Sequence, residues 1–135
     1  MDEFKMDNIA SITDKWIEKT ILIVEDVESN YQFLAATLRR SGATLVWARQ
    51  GEDAIEMIEN NQHFDLVLMD VQLAGIDGYE VTSRIKKLRP DLVIVAQTAF
   101  AMVGEKEKSM AAGCDDYLAK PIRPSLLLQT ISKYF

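Results

Sequence analysis

Short apolar runs alternate with segments of helical periodicity over almost the whole of this chain. Such alternation is typical of repeated β-α units, which build a parallel sheet covered by helices on both faces. Right-handed crossovers leave few ways to order the strands, and we predict the compact order 2-1-3-4-5. The expected fold is therefore an α/β, three-layer (βα)5 sandwich around a five-stranded parallel sheet. The predicted strands span residues 21–24, 44–48, 65–69, 92–96 and 117–119, and the predicted helices span about residues 29–40, 51–60, 78–88, 102–112 and 125–134.

The N-terminal residues stand apart from this repeat, because their apolar side chains follow a different spacing. They fall at i, i+3, i+7 and i+8, which is one stripe of a short helix. We therefore predict an extra N-terminal helix, an extension or linker over residues 1–19, followed by one domain over residues 20–135. The helix either docks on the domain, contacts a partner or ends a linker, and the sequence does not choose among these. The apolar residues of the stripe are Ile9, Ile12, Trp16 and Ile17.

Composition narrows the class of function. The net charge of -6 argues against direct binding to nucleic acid and fits a domain that contacts other proteins. No apolar run approaches the length of a membrane span, and the N-terminus lacks the signal-peptide pattern, so we expect no membrane insertion of this chain. The one cysteine, Cys114, has no partner for an internal disulfide, which fits a reducing compartment. We therefore expect a cytoplasmic protein.

Carboxylates follow two of the predicted strands at the point where each strand ends. Glu25 and Asp26 come directly after the first strand, and Asp70 follows the third. In the predicted order these strands are neighbours at the switch point, where open α/β sheets bind ligands. Three unpaired anions at one site repel each other, and Mg²⁺, which prefers hard oxygen ligands, relieves the repulsion. We predict that Glu25 and Asp26 hold Mg²⁺ while Asp70 accepts a phosphoryl group.

Each of these features also has a purely structural explanation. Acidic residues after a strand complement the positive end of the next helix, and Thr98 at the end of the fourth strand could cap one. Lys120, at the end of the fifth strand, could be a solvated charge. In the functional interpretation, the Thr98 hydroxyl bonds a phosphoryl oxygen, and Lys120 offsets the charge of the three carboxylates. The predicted convergence of the three carboxylates, the hydroxyl and the ammonium group at one edge of the sheet favours the functional interpretation.

Four segments resemble the motifs of the receiver domain of bacterial two-component response regulators, in the same order along the chain. The resemblance covers residues 20–135, and five separated motif positions make it specific. It implies a flavodoxin-like fold and a signalling domain that promotes its own phosphorylation and dephosphorylation but is not otherwise an enzyme. The segments are Ile21-Leu-Ile-Val-Glu-Asp26, Leu66-Val-Leu-Met-Asp70, Thr98-Ala99 and Asp116-Tyr-Leu-Ala-Lys120-Pro121.

The resemblance implies a role for each residue of the predicted site. Asp70 matches the phospho-accepting aspartate, and Lys120 matches the lysine beside it. Asp26 matches a direct Mg²⁺ ligand, Glu25 a ligand through water, and Gln72 a residue whose backbone carbonyl binds the metal. The implied phosphoryl donor is a phosphohistidine on a sensor histidine kinase or a histidine phosphotransfer domain. The product is an acyl phosphate, which water attacks, so the signal decays by itself.

Two further positions match the residues that convert phosphorylation into a change of shape. Thr98 matches the switch hydroxyl, which moves towards the phosphoryl group, and Tyr117 matches the switch aromatic, which fills the vacated space. The surface of helix four, strand five and helix five then changes. The predicted fourth helix is weakly amphipathic and therefore suits a moving surface. The resemblance also implies a cis peptide bond between Lys120 and Pro121.

The sequence departs from the family's pattern at Ala74 and carries a bulky residue at Phe100. Ala74 replaces the usual proline four residues past the acceptor, which is expected to loosen that loop without touching the chemistry. Phe100 lies two residues past Thr98, a position at which relatives vary widely, as they do at Gln72. We hypothesise that Phe100 and Gln72 shield the acyl phosphate from water and slow its hydrolysis.

Two other classes of function fit the same architecture less well. A receiver-like module that binds proteins without phosphorylation would normally lack the acceptor or an acidic residue, and none is lost here. A flavin-binding enzyme would need a Ser/Thr/Gly-rich loop after the first strand, where Glu25 and Asp26 would repel phosphate. The chain is either a stand-alone regulator or the receiver of a hybrid sensor histidine kinase, and its entry into the first strand resembles the hybrid kinases more.

Overall fold

The computed structural model describes residues 13–99 and 104–135. The strands are β1 (Thr20–Val24), β2 (Thr44–Ala48), β3 (Leu66–Asp70), β4 (Val93–Thr98) and β5 (Asp116–Ala119). The helices are α1 (Glu28–Leu38), α2 (Gly51–Glu59), α3 (Gly78–Leu88), α4 (Glu105–Ala112) and α5 (Pro124–Ser132), with a 3-10 turn (Arg39–Ser41) after α1. All strand pairs are parallel in the order β2-β1-β3-β4-β5, which confirms the predicted fold class. No helix in the described part of the chain is long and apolar enough to cross a bilayer.

Two apolar layers, one on each face of the sheet, form the core. Alternate residues of a strand point to opposite faces, so Val67 and Met69 join one layer while Leu66 and Leu68 join the other. The first layer also contains residues of α2 and α3, and the second contains residues of α1 and α5. All residues of β3 are buried, which explains why this strand appears in the sequence as an unbroken apolar run.

Strands β3 and β4 extend further towards the predicted site than the sequence indicated. We predicted that they end at residues 69 and 96, but β3 ends at Asp70 and β4 ends at Thr98. Pairing explains the difference, because Asp70 lies opposite Gln97 and Thr98 lies opposite Ala119 in the parallel ladders. Two predicted site residues therefore belong to the sheet itself, where the hydrogen bonds of neighbouring strands restrict their backbone.

The N-terminal segment contributes Trp16 to the core. Residues 13–18 form turns, with Asp14 at a φ of 57°, so an α-helix does not extend over them; most of the predicted helix falls on residues 1–12, outside the described residues. Trp16 is buried in the layer of α1 and α5, and its ring meets that of Phe135 edge-on at 5.1 Å between centroids. Ile17 is 62% exposed, so Trp16 and Ile17 do not share a buried face. The division of the chain at residue 20 stays a prediction.

Candidate functional site

The carboxyl ends of β1 and β3 bring three carboxylates together. Glu25 and Asp26 directly follow Val24, which pairs with Met69 in the neighbouring strand, and Asp70 is the next residue of that strand. One oxygen from each of these carboxylates lies within 4.8 Å of the other two. The structure therefore concentrates negative charge at the edge of the sheet where open α/β folds bind their ligands.

Burial increases the energetic cost of that charge. Glu25 is fully buried, Asp70 is 2% exposed and Asp26 is partly exposed. Loss of solvation, followed by repulsion from Asp70, raises the pKa of Glu25 to about 7, while the Val27 N–H and the charge of Lys120 oppose the shift. Without a cation, the Glu25 carboxyl group therefore changes its charge close to neutral pH.

The arrangement of ligand atoms fits Mg²⁺. Glu25 Oε2 accepts a hydrogen bond from the Val27 N–H at 3.2 Å, but Oε1 is buried and has no hydrogen-bond partner among the described residues. A buried oxygen without a donor is costly, and a water molecule bound to a nearby cation would satisfy it. The three converging groups are all carboxylates, hard ligands that suit Mg²⁺ better than softer metals.

Asp70 contacts an ammonium group and a backbone donor. Its Oδ1 accepts a hydrogen bond from the Gln72 N–H at 2.9 Å, and its Oδ2 lies 3.5 Å from Lys120 Nζ. Lys120 directly follows β5, and its own N–H donates to the carbonyl of Thr98 at 2.7 Å. The Lys120–Pro121 peptide bond is cis. The end of β5 thus places a positive charge beside the predicted acceptor.

The loop after β3 also contacts the acidic pair. The Ala74 N–H donates to Asp26 Oδ2 at 2.9 Å and so joins the loop after β3 to the loop after β1. The sequence led us to expect that the replacement of proline at this position leaves the chemistry untouched. Proline has no N–H and could not make this contact, so Ala74 gives a predicted metal ligand a hydrogen bond that proline would not. That the chemistry itself is untouched stays a prediction.

The predicted switch residues lie on the strands beyond β3. Thr98, the last residue of β4, is fully buried, and Tyr117 is partly buried in β5, where it pairs with Ala96 and packs against the layer of α2 and α3. Gln72 is exposed, and Phe100 lies outside the described residues. The structure therefore brings Thr98 to the same edge of the sheet as Asp70. Tyr117 lies further from this edge, opposite Ala96 in the neighbouring strand.

Two residues beside the site were not among those predicted from the sequence. Trp47, in β2, donates its indole N–H to the backbone carbonyl of Glu25 at 2.8 Å. Gln97, opposite Asp70 in β4, is 1% exposed, and its Nε2 has no partner among the residues that the structure describes. An amide that directly follows an apolar run and precedes Thr98 is a signal that could have singled out Gln97. Trp47 offered no such signal, because aromatic residues are common in strands.

Comparisons with known proteins agree with this geometry. The sequence profile of the response regulator receiver domain matches residues 21–132. The chain is 37% identical over 119 residues to the polar-differentiation response regulator DivK of Brucella ovis, covering 86% of this chain and 95% of that protein. It also resembles the receiver domain of a Pseudomonas aeruginosa sensor histidine kinase, solved with a magnesium ion coordinated in its active-site cleft (TM-score 0.78, 34% identity, 86% of this chain and 96% of that chain).

A further solved structure is similar over most of its length. It is the receiver domain of the Saccharomyces cerevisiae response regulator Ssk1, co-crystallised with the histidine phosphotransfer protein Ypd1 (TM-score 0.80, 29% identity, 86% of this chain and 88% of that chain). The matched profile covers most of the chain, and the sheet has the strand order that the fold requires. This chain therefore belongs to the response regulator receiver domain family of two-component signalling systems.

Proposed function

We propose that this domain accepts a phosphoryl group on Asp70, in a reaction that needs Mg²⁺, from a phosphohistidine on a sensor histidine kinase or a histidine phosphotransfer protein. The observation that carries the proposal is the Asp70 carboxylate, buried within an acidic cluster and 3.5 Å from Lys120 Nζ. Two relatives support it, since one receiver was solved with a coordinated magnesium ion and another with a histidine phosphotransfer protein.

In the proposed reaction, a carboxylate oxygen of Asp70 attacks the phosphorus atom of the phosphohistidine. A P–O bond forms, the P–N bond breaks, and the electron pair of that bond returns to the imidazole ring. Negative charge is spread over the phosphoryl oxygens, so the barrier depends mainly on positioning and on neutralisation of that charge. Lys120 brings positive charge to Asp70, and the Gln72 N–H orients the carboxylate through Oδ1.

The residues proposed to hold the cation are Asp26 directly, Glu25 through water, Asp70 itself and the backbone carbonyl of Gln72. When bound, Mg²⁺ supplies positive charge at the phosphoryl oxygens. The buried Oε1 of Glu25 and the raised pKa of its carboxyl group support this assignment. Both indicate an acidic pair whose charge is incompletely balanced by Lys120.

An apolar cleft beside Lys120 supports the proposal that the donor is another protein. The cleft has a volume of about 590 Å³ and is lined by α1, the ends of β4 and β5, and the Pro121–Ile122 segment. Phe33, on its α1 side, is 43% exposed, although large apolar side chains favour burial. A donor protein that carries a phosphohistidine would cover this surface as it presents the phosphorus atom to Asp70.

We propose that Thr98 and Tyr117 transmit phosphorylation to the surface of α4, β5 and α5. Ser109 is the only buried residue of the described helix α4, and it is polar. Little buried apolar contact therefore opposes a movement of this helix. Tyr79 on α3 donates a hydrogen bond to the Glu105 carboxylate of α4 at 2.5 Å. A shift of α4 away from α3 would break this contact, which makes it a candidate restraint on the unphosphorylated form.

The acyl phosphate is proposed to be hydrolysed by water, which restores Asp70 and ends the signal. Gln72 follows Asp70 by two residues, and Phe100 follows Thr98 by two residues. We propose that these two side chains shield the phosphoryl group and so set its lifetime.

The cytoplasm is the proposed location of this domain. Cys114 is buried and forms no disulfide with any described residue, which suits a reducing compartment. Its thiol is also protected chemically, because burial raises its pKa to about 11 and so suppresses the reactive thiolate.

Phosphorylation by a small donor tests the proposed function. Incubation of the chain with acetyl phosphate and MgCl₂ is expected to add the mass of one phosphoryl group, and EDTA is expected to prevent the addition. Asp70→Asn should lose the addition and keep the circular dichroism spectrum of the parent, whereas Asp91→Asn, at an exposed position, should behave like the parent. Normal labelling of Asp70→Asn would reject Asp70 as the acceptor. A parent chain that takes no phosphoryl group would instead favour a module that binds proteins without phosphorylation.

A further inference from the structure

Trp47 connects the outer strand β2 to the loop that carries the acidic pair. Its indole N–H donates to the backbone carbonyl of Glu25 at 2.8 Å. The Glu25 N–H in turn donates to the carbonyl of Ala48, the next residue of β2, at 3.1 Å. Both polar backbone groups of Glu25 are thus held by β2, so the peptide units on either side of its Cα have defined orientations.

A stack of side chains holds the indole ring in place. The ring of Tyr31 lies nearly parallel to it, with 4° between the planes and 4.0 Å between the centroids. The guanidinium carbon of Arg49 lies 4.0 Å from the centroid of the Trp47 ring, and Arg49 also pairs with Glu28 at 3.6 Å. Tyr31 and Glu28 belong to α1, which begins just after the acidic pair. The stack therefore ties the start of α1 to the end of β2 on both sides of this loop.

The loop needs such restraint because exposed residues follow Glu25. Asp26 is partly exposed, and Val27 and Glu28 are exposed, so burial contributes little to holding this turn. The Ala74 N–H restrains the side chain of Asp26, while the Trp47 N–H restrains the backbone before it. A ligand constellation tolerates displacements of only about 0.5 Å. The hydrogen bond from Trp47 is therefore positioned to affect metal binding without touching the metal.

We propose that Trp47 is a positioning residue for the cation site: through the carbonyl of Glu25, its indole N–H orients the carboxylates of Glu25 and Asp26. This inference rests on the proposed Mg²⁺ site. A positioning role requires the N–H group of Trp47 itself. A packing role would require only the bulk of its ring, so the two roles can be distinguished. It also makes Trp47 a reporter, because a change at the acidic pair alters the hydrogen bond of its indole group.

The chain contains its own matched control, since Trp16 is its only other tryptophan and packs against Phe135 rather than near the acidic pair. Trp47→Phe keeps an aromatic ring beside Tyr31 but removes the donor. We expect this variant to raise the Mg²⁺ dissociation constant, measured by isothermal titration calorimetry, by about 3- to 10-fold, as for the loss of one hydrogen bond. Trp16→Phe is expected to leave the constant unchanged, and the remaining tryptophan of that variant should change its fluorescence as Mg²⁺ binds.

A second variant separates the donor from the ring. In the Trp16→Phe background, biosynthetic replacement of the remaining tryptophan by benzothienylalanine keeps a bicyclic ring and puts sulfur in place of the N–H group. We expect the same loss of Mg²⁺ affinity. Phosphorylation by acetyl phosphate over a range of MgCl₂ concentrations gives an independent measurement: the half-saturating concentration should rise by the same factor, and the maximal rate should be restored at saturation.

Parent-like Mg²⁺ affinity in the benzothienylalanine protein would overturn the inference, because the ring alone would then be sufficient. A reduced maximal rate that excess Mg²⁺ does not restore would also overturn it, since that result indicates a general structural role. If the parent chain itself binds no Mg²⁺, the proposed cation site is wrong and the inference falls with it. If the parent binds Mg²⁺ and the Trp47 variants match it, the inference alone is rejected.

Discussion

Strand β3 and helix α4 differ in how far the rest of the molecule covers them. Every residue of β3 is buried. In α4, by contrast, Ser109 is the only residue of the described helix that is buried, and Met110 is 48% exposed. An element with hydrogen-bonded neighbours on both sides opens locally at a high free-energy cost, and an element with few apolar contacts opens at a low cost. The proposed chemistry needs fixed atoms and belongs to β3, while the proposed response needs movement and belongs to α4.

Truncation of one apolar side chain in each element tests this contrast most strongly. Leu68→Ala should lower the free energy of unfolding by about 2–5 kcal/mol, because it leaves a cavity beneath the sheet. Met110→Ala, on the exposed side of α4, should change it by less than about 0.5 kcal/mol. Urea denaturation of both variants measures the difference. Equal losses would show that α4 is held as firmly as β3.

The pH dependence of the free energy of unfolding tests how much the negative charge of Glu25 destabilises the folded chain. The pKa of Glu25 is about 7 in the folded chain and 4.5 in the reference state, so between these values the folded state binds a proton that the unfolded state releases. The free energy of unfolding should therefore fall as pH rises through this window, by up to about 3 kcal/mol in metal-free protein. Denaturation in EDTA at several pH values measures the loss. Glu25→Gln should flatten the profile, and a parent profile that rises through the window would contradict the assignment.

Removal of the Tyr79 hydroxyl tests how α4 is held. Tyr79→Phe removes the donor to the Glu105 carboxylate and should cost about 1–2 kcal/mol, as for a hydrogen bond to a charged group that is partly solvated. Because α4 has few other buried contacts, its amide hydrogens should exchange faster while those of β3 do not. Tyr31→Phe makes the same chemical change away from α4 and serves as the control. Unchanged exchange in α4 would mean that this contact does not restrain the helix.

The smallest expected effect concerns the backbone donor to Asp26. Ala74→Pro removes the N–H that bonds Asp26 Oδ2 and should lower the free energy of unfolding by about 1 kcal/mol in metal-free protein. Mg²⁺ should reduce this difference, because a bound cation would restrain the same carboxylate. Ala74→Ser keeps the N–H and is the matched control. Thermal unfolding of the three proteins with and without MgCl₂ measures the effect, and a loss that Mg²⁺ leaves unchanged would point to strain in the loop.

Strand β3 and the turn at Trp16 show what the sequence could and could not predict. The apolar runs set the strands, and the alternation of strands with helices left few topologies, so the meeting of Glu25, Asp26 and Asp70 followed from the ends of two strands. The position of Trp16 did not follow, because its contact with Phe135 joins distant parts of the chain. The turn that places Trp16 depends on a left-handed Asp14, a conformation that side-chain periodicity does not encode.

The unpredicted contacts of the site share a physical reason. The indole N–H of Trp47 donates a hydrogen bond to a backbone carbonyl 22 residues away along the chain. The Asp26 carboxylate accepts a hydrogen bond from a backbone N–H 48 residues away. Almost every residue carries such backbone groups, so no pattern of side chains marks the ones that are used. Sequence motifs thus indicated the groups proposed to carry the chemistry, whereas the groups proposed to orient them became visible only in three dimensions.

Trp16 and Phe135 bring together two segments that are far apart along the chain. The segment before β1 meets the segment after α5 where the strands begin, and Lys19 Nζ lies 5.2 Å from the centroid of the Phe135 ring. This pole is opposite the sheet edge that carries the carboxylates. A short bridge between residue 13 and Phe135 would therefore permit circular permutation of residues 13–135, and a fluorescent tag or surface tether attached at either of these two positions would leave the opposite pole accessible to a donor protein.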